Sequence, residues 1–235
     1  MNMTSQERRA ITRWCVKALL GVLAYGAIVF AAAGRVDWLW GWVFFAAIAL
    51  MMAAHPIILI PRNPALLAER EKGLRDKRVV AWDKWVAGLG AGVFPVLSWV
   101  VAGLDVRFGW TGPVSIWFHL AGLGLFIAGA GLFLWAMASN PFFSEGVRIQ
   151  SDRGHQVADS GPYRHVRHPG YSGAILTHIG TPLMLGSPWA LAVGLAAAAM
   201  YVLRAGLEDR FLQRELPGYR EFTERTRYRL LPRVW

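Results

Sequence analysis

The sequence predicts an all-α membrane protein, a polytopic helix bundle forming a single domain over residues 1–235. Three observations favour this fold class. Hydrophobic residues make up 55% of the chain and charged residues only 17%, with a mean hydropathy of +0.34, well above an ordinary soluble domain. The chain contains several long apolar runs without internal charges. Many of the 12 Trp residues lie at the ends of these runs, as in an aromatic belt at a membrane interface.

Four apolar runs are predicted to cross the membrane as helices, at about residues 14–34, 38–60, 85–104 and 113–138. Each reaches or approaches the ~20 residues needed to cross ~30 Å of hydrocarbon. The first run has no small-residue cleavage pattern, so we expect it to be retained. A further stretch, 171–204, is too long for one straight crossing and contains closely spaced Gly and Pro residues. We expect a helical hairpin there, giving six crossing or partly crossing helices; one kinked span is the alternative.

Lys and Arg fall almost entirely on one side of this predicted topology. Four occur up to Lys17, seven in 61–84, four in 139–170 and eight in 204–235, whereas the other connections carry only Arg35 and Arg107. The positive-inside rule therefore predicts that both termini are cytoplasmic. The formal net charge of +10 then indicates anionic lipid headgroups as partners, and not nucleic acid. The segment 61–84 mixes apolar and charged residues, which suits equally a helix on the membrane surface or a solvated connector.

Groups of chemical interest are concentrated in the loop before the hairpin and in the helix after it. The loop reads IQSDRGHQVADSGPYRHVRHPGYSG from residue 149, and its Gly-Pro and His-Pro-Gly turns are expected to hold the side chains between them in place. In the helix, Arg204 and Glu208 are one turn apart and can face one cavity. The loop histidines and aspartates do not form a recognised ligand spacing, so no metal site is predicted. The single Cys15 excludes an internal disulfide.

These two blocks resemble the isoprenylcysteine carboxyl methyltransferase family. The resemblance rests on GPYRHVRHPGYSG, on R-x-x-x-E-D-x-x-L beginning at Arg204, and on the Pro217-Gly218-Tyr219 that follows. It covers about residues 145–235, while the first four predicted spans match only as hydrophobic helices. The chain departs from the family at Glu208-Asp209, where Glu-Glu is usual, and at Val157-Ala158, where Leu-Val is usual.

The resemblance implies that S-adenosylmethionine is the cofactor, held in a cytoplasmic cofactor-binding loop and helix, residues 139–170 and 204–235. Carried over by motif position, the cofactor-binding residues are His155, Gln156, Val157, Ala158, Tyr163, His168, Pro169, Gly170, Tyr171 and Glu208. Arg204 is expected on the substrate side, and Arg167 offers a fixed fork for a carboxylate, so these two are the candidate catalytic residues. The expected acceptor is a membrane-dissolved or lipid-like molecule of the isoprenylcysteine carboxylate type.

Three alternatives stay open at the level of sequence. Related membrane methyltransferases act on phospholipid amines or small thiols. Membrane sterol reductases resemble this architecture and use NADPH at the equivalent pocket. A transporter or non-catalytic binding protein is the third alternative, although the sequence has no intramembrane row of charges and no matched pair of broken helices.

Overall fold

The computed structural model describes residues 3–235, and every regular element within that range is helical. The α-helices are α1 (Ser5–Ala33), α2 (Leu39–Arg62), α3 (Pro64–Arg70), α4 (Ala81–Ala87), α5 (Phe94–Phe108), α6 (Ile116–Ser139), α7 (Pro169–Leu185), α8 (Pro188–Glu215) and α9 (Tyr219–Arg225). A π-helical segment, Gly88–Val93, joins α4 to α5 without a break, and 3₁₀ turns occupy Gly73–Arg75, Ser151–Arg153 and Gly161–Arg164.

Five helices are long and apolar enough to cross a membrane: α1, α2, the continuous helix Ala81–Phe108, α6 and α8. The prediction of a polytopic helical membrane bundle is therefore confirmed. The sixth long helix, α7, has 17 residues, which corresponds to about 25 Å and is slightly short of a full crossing.

The helix boundary between α7 and α8 follows from three neighbouring residues. Gly186 adopts a left-handed conformation (φ 78°), which ends α7 at little steric cost. The Ser187 hydroxyl oxygen then accepts a hydrogen bond from the N–H of Ala190 (3.2 Å), and Pro188 occupies the first turn of α8. The chain reverses direction here instead of continuing as one kinked helix.

Contacts at the helix ends show that the six long helices alternate in direction. At one end of the bundle, Trp40 of α2 stacks on His119 of α6 at 4.4 Å between ring centroids, and the His119 ring donates to the Met184 carbonyl oxygen (2.8 Å). At the other end, the rings of Trp14 and His55 lie 5.6 Å apart, which joins the beginning of α1 to the end of α2. We call this second end, which also carries the loop 140–168, the site face, and the first the far face.

Glycines let α6 and α7 approach each other closely. A Cβ atom added to Gly129 of α6 would lie 2.5 Å from the carbonyl oxygen of Gly173, and one added to Gly173 of α7 would lie 2.6 Å from the carbonyl oxygen of Gly129. A Cβ atom added to Gly180 of α7 would likewise lie 2.7 Å from the carbonyl oxygen of Gly122, about two helical turns further along the interface. Close backbone contact of this kind replaces the hydrophobic driving force that helices lack in lipid. It fixes α7, which begins at the loop, against the longer α6.

The segment from α3 to Val80, residues 64–80, folds back over the site face, and we call it the covering segment. Its Leu66 and Leu67 are fully buried in a cluster with Trp14 of α1 and Met137 of α6. These leucines face protein, so the segment is packed into the bundle and is not a solvated connector.

Candidate active site

One cavity of about 810 Å³ opens at the site face and extends into the bundle. All six long helices contribute to its wall. Its outer end is polar and is lined by the loop 140–168, the covering segment and the end of α8, whereas its inner end is lined by aromatic and aliphatic side chains of α1, α2, α5 and α6. The volume falls in the range of ligand sites, roughly 300–1,000 Å³. The cavity therefore joins a polar compartment at its outer end to an apolar compartment at its inner end.

The cavity brings together residues that the sequence places far apart. Eleven of the twelve candidate residues line it: His155, Gln156, Val157, Ala158, Tyr163, Arg167, His168, Gly170, Tyr171, Arg204 and Glu208. The exception is Pro169, which is buried in the first turn of α7 and is not among the lining residues. Proline fits that position because its missing N–H has no partner to lose there. Its contribution is to start α7 in the right place.

Asp209 is the centre of a buried polar network beneath the outer end of the cavity. Its side chain is completely buried and accepts two hydrogen bonds from Arg167 (2.7 and 3.0 Å) and one from Arg229 (2.9 Å). The Tyr219 hydroxyl (3.1 Å) and the Gln213 amide (2.9 Å) donate as well. A buried carboxylate is stabilised only when it is paired and hydrogen-bonded in this way.

The guanidinium group of Arg167 already has hydrogen-bond partners within the protein. Besides holding Asp209, its Nη1 donates to the carbonyl oxygens of Thr226 (2.9 Å) and Arg227 (2.8 Å). Its backbone N–H donates to the carbonyl oxygen of Tyr228 (2.9 Å). This geometry fits a residue that ties the C-terminal segment to the loop better than one that grips a substrate carboxylate.

Arg204 is held by a partner that the sequence analysis missed. Asp83, at the start of α4, is completely buried and accepts from Nε (2.6 Å) and Nη2 (2.8 Å) of Arg204. The same carboxylate accepts from the N–H of Val147 (2.7 Å) in the loop after α6. The signal for Asp83 was an acidic residue between Trp82 and Trp85 at the start of an apolar run, where an ionised side chain needs a partner. Asp83 fixes Arg204 across the mouth of the cavity.

Glu208, His168 and Tyr171 form a second group at the cavity wall. The Tyr171 hydroxyl donates to the Glu208 carboxylate, and the His168 ring stacks on Tyr171 with 5.5 Å between centroids. The Arg204 guanidinium also lies over the Tyr171 ring, 5.1 Å from its centre. The side chain of Glu208 is 20% exposed, in contrast to the fully buried Asp209. The two neighbouring acids therefore differ in role: Glu208 faces the cavity and Asp209 faces the protein.

His155 stands at the outer rim as a neutral imidazole. Its Nδ1 accepts a hydrogen bond from the N–H of Gln150 (3.2 Å). Its ring packs against that of Phe142, with 4.7 Å between the ring centroids. Burial and, to a smaller extent, the charges of Arg148 and Arg153 together lower the pKa of His155 to about 4. With Nδ1 accepting, the proton is on Nε2, which is left as a donor.

Ion pairs attach the covering segment to the loop and to α1. Arg148 of the loop pairs with Glu69 (2.6 Å), and Arg78 pairs with Asp152 (2.7 Å). Glu71 accepts from Lys17 of α1 at 2.7 Å. The cavity is therefore bounded on its outer side by a segment anchored through charge pairs. Within residues 3–235, no group of three or more His, Cys, Asp or Glu side chains is placed to hold a metal ion.

Comparison with known proteins matches a part of the chain that builds much of this wall. Residues 122–214 match the model of the isoprenylcysteine carboxyl methyltransferase family. This segment is therefore similar to that family. It contains most of α6, the loop, α7 and nearly all of α8, and all twelve candidate residues lie within it.

Two curated relatives of the isoprenylcysteine carboxyl methyltransferase family show the extent of the similarity. A probable protein-S-isoprenylcysteine O-methyltransferase of Oryza sativa subsp. indica is 35% identical over 72 residues, 30% of this chain and 38% of that protein. Protein-S-isoprenylcysteine O-methyltransferase B of Arabidopsis thaliana is 28% identical over 99 residues, 41% of this chain and 50% of that protein. The aligned region thus spans half or less of each relative.

Parts of the site lie outside the segment that matches the isoprenylcysteine carboxyl methyltransferase family. Asp83, the covering segment, and the residues around Arg229 that reach Asp209 are all beyond residues 122–214. Residues 122–214 supply much of the cavity wall, and the remainder of the chain supplies further lining residues of α1, α2 and α5 and the ion-pair partners Asp83 and Arg229.

Proposed function

We propose that the protein is an S-adenosylmethionine-dependent methyltransferase that acts on a membrane-dissolved, lipid-like carboxylate of the isoprenylcysteine type. The observation that carries this proposal is the single cavity whose polar outer end holds the candidate cofactor residues and whose inner end is apolar. Such a cavity suits one water-borne and one membrane-borne reactant. The family match at residues 122–214 and the names of the two plant relatives support methyl transfer.

The charged and aromatic side chains at the outer end of the cavity suit S-adenosylmethionine. Glu208 offers a carboxylate for ribose hydroxyls or for an amino group, and the rings of Tyr163 and Tyr171 offer faces for adenine or for a sulfonium. Arg167 and Arg204 are already neutralised by Asp209 and Asp83. These pairings reduce the positive charge available to the several phosphates of NADPH, whereas Arg204 still lines the cavity and can be approached by a single carboxylate.

The residues of this chain bind the two reactants, orient them and exclude water from the site. S-adenosylmethionine supplies, when bound, a methyl group whose bond to sulfur breaks as the acceptor oxygen bonds to the methyl carbon, with the electron pair returning to sulfur. A carboxylate acceptor is already ionised, so the residues around it need not remove a proton. Arg204, fixed by Asp83 and facing the cavity, is placed to orient that carboxylate. Orientation of this kind contributes roughly 7–11 kcal/mol to bimolecular reactions.

The proposal also includes the side of the membrane. The site face carries 139–170 and 204–235, the segments with many of the basic residues, and the positive-inside rule assigns such segments to the cytoplasm. A cytoplasmic cavity mouth would open the site to a water-borne cofactor.

Ligand binding to the detergent-purified protein tests the proposal. We expect calorimetry to detect S-adenosylhomocysteine, and the Glu208→Ala variant to bind it at least about tenfold more weakly, since hydrogen bonds to a charged group contribute about 1.5–3 kcal/mol. The exposed Glu224→Ala variant is the matched control and should bind as the wild type does. Binding of NADPH in place of S-adenosylhomocysteine would contradict the proposal.

A further inference from the structure

The inner end of the cavity has a closed floor. Along five of the six long helices, the lining residue furthest from the site face belongs to this floor: Tyr25 of α1, Ile48 of α2, Trp99 of α5, Phe126 of α6 and Thr181 of α7. Four of these five are buried, and Tyr25 is partly buried. The floor lies at a similar depth on each helix, within the apolar part of the bundle.

Aromatic packing closes the floor. The ring centroid of Trp99 lies 4.7 Å from that of Tyr25 and 5.5 Å from that of Phe44. Beyond this layer the bundle is filled by the buried side chains of Val29, Ala102, Met184, Leu185 and Ala190. An apolar chain that enters from the site face therefore meets packed side chains about halfway along the helices.

The depth of the apolar compartment follows from the helix rise. Tyr171, which contacts Glu208 at the polar end, and Thr181 on the floor are ten residues apart on α7, or about 15 Å at 1.5 Å per residue. On α1, Lys17 at the mouth and Tyr25 on the floor are eight residues apart, or about 12 Å. The compartment therefore accepts an extended chain close to a farnesyl group in length and shorter than a geranylgeranyl group.

We infer that Tyr25 and Trp99 set an upper limit on the length of the acceptor's apolar chain, with farnesyl as the preferred isoprenyl group. This inference rests on the proposed function for the identity of the acceptor head group, whereas the length limit depends only on the cavity. A chain that is too long leaves its head group short of Arg204 and Glu208, and one that is too short leaves apolar wall unfilled. Chain length then controls whether the reacting atoms meet.

Two substitutions move the floor in opposite directions. Tyr25→Ala removes one side of the aromatic layer and should admit a longer chain. Ile48→Phe adds volume to the floor and should favour a shorter one. Tyr25→Phe keeps the ring and is the matched control for the first variant. Trp117→Ala removes a 74% exposed aromatic of α6 that is not among the cavity-lining residues, and controls for loss of bulk elsewhere.

The experiment compares S-geranyl, S-farnesyl and S-geranylgeranyl cysteine derivatives as methyl acceptors in detergent. We expect the wild type to prefer farnesyl over geranylgeranyl by about tenfold in kcat/KM, Tyr25→Ala to remove that preference, and Ile48→Phe to shift the optimum to geranyl. The two controls should keep the wild-type profile. Unchanged length profiles in both floor variants would overturn the inference.

A binding measurement separates this inference from the proposed function. The same three chains are attached to a thioether without a carboxylate, and their binding to wild type and variants is measured by calorimetry. If binding depends on chain length and the preferred length changes in Tyr25→Ala and Ile48→Phe, the inferred length limit is supported even when no acceptor is methylated. In that case only the proposed methyl transfer fails. Binding that is independent of chain length overturns the floor even if methyl transfer occurs.

Discussion

Single buried charges determine the shape of this site. Asp209 has a 0% exposed side chain and pairs with two arginines, one from the loop before α7 and one from the C-terminal segment. Asp83, at the beginning of α4, pairs with Arg204 of α8 and accepts a hydrogen bond from the N–H of Val147 in the loop after α6. In each case one carboxylate joins segments that are distant in sequence. The site residues are therefore positioned by acids that do not themselves face the cavity.

Asp209→Asn should destabilise the protein by about 3–5 kcal/mol, because it leaves Arg167 and Arg229 without their counter-charge in a buried setting. Thermal unfolding in detergent measures the effect. Asp159→Asn is the control: Asp159 is exposed and lies 3.8 Å from the exposed Arg225, a pair expected to contribute less than about 1 kcal/mol. Equal melting temperatures for the two variants would contradict the central role of Asp209.

Sequence patterns predicted the residue types at this scale but not their pairing. The motif spacing brought eleven candidate residues to one cavity wall, and Arg204 and Glu208 share a helix face as expected from their four-residue separation. The occupied fork of Arg167 and the pairing of Asp83 with Arg204 could not be predicted, because they depend on contacts across 42 and 121 residues of chain. Individual roles of the site residues remain predictions.

At the scale of elements, the contact between α6 and α7 is the closest-packed part of the family segment. Gly129 and Gly173 each place their backbone where a Cβ atom of the other helix would otherwise lie. The apolar runs predicted these helices from composition, but composition does not reveal which glycines are in contact. On α6 itself, Gly131 has open space around its Cβ position whereas Gly129 has none.

Gly129→Ala should lower stability by about 1–3 kcal/mol, because the added methyl group overpacks the interface and pushes α6 from α7. Gly131→Ala should be neutral or slightly stabilising, since alanine is the better helix former and nothing lies within 4 Å. Thermal unfolding of the two variants, with S-adenosylhomocysteine binding as a second readout, makes the comparison. A larger loss for Gly131→Ala would show that the glycine contact is not what holds the two helices.

At the scale of the whole molecule, the alternation of the six long helices brings the loop 140–168, the end of α8 and the covering segment to one face. Composition and the Gly-Pro breakers were enough to predict a helical membrane bundle. The folding of the covering segment onto the cavity was not predicted, because its leucines suit a protein surface as well as a membrane surface.

Labelling with a membrane-impermeant maleimide in intact cells tests the proposed orientation. The single Cys15 is first replaced by Ser, and one Cys is then introduced at exposed Val36 on the far face or at exposed Ser160 on the site face. We expect Val36→Cys to react from outside and Ser160→Cys to react only after permeabilisation, because basic segments stay in the cytoplasm. The opposite labelling pattern would invert the proposed orientation.

The network around Asp209 also imposes an order on biosynthesis. Arg167 and His168 donate their backbone N–H groups to the carbonyl oxygens of Tyr228 and Arg229, both at 2.9 Å, after all six long helices have been synthesised. During translation, the helices can insert one after another while the loop before α7 still lacks these partners. The loop gains these two hydrogen bonds only after Tyr228 and Arg229 have been synthesised. The loop that lines the cavity is therefore completed by residues that are synthesised after all six long helices.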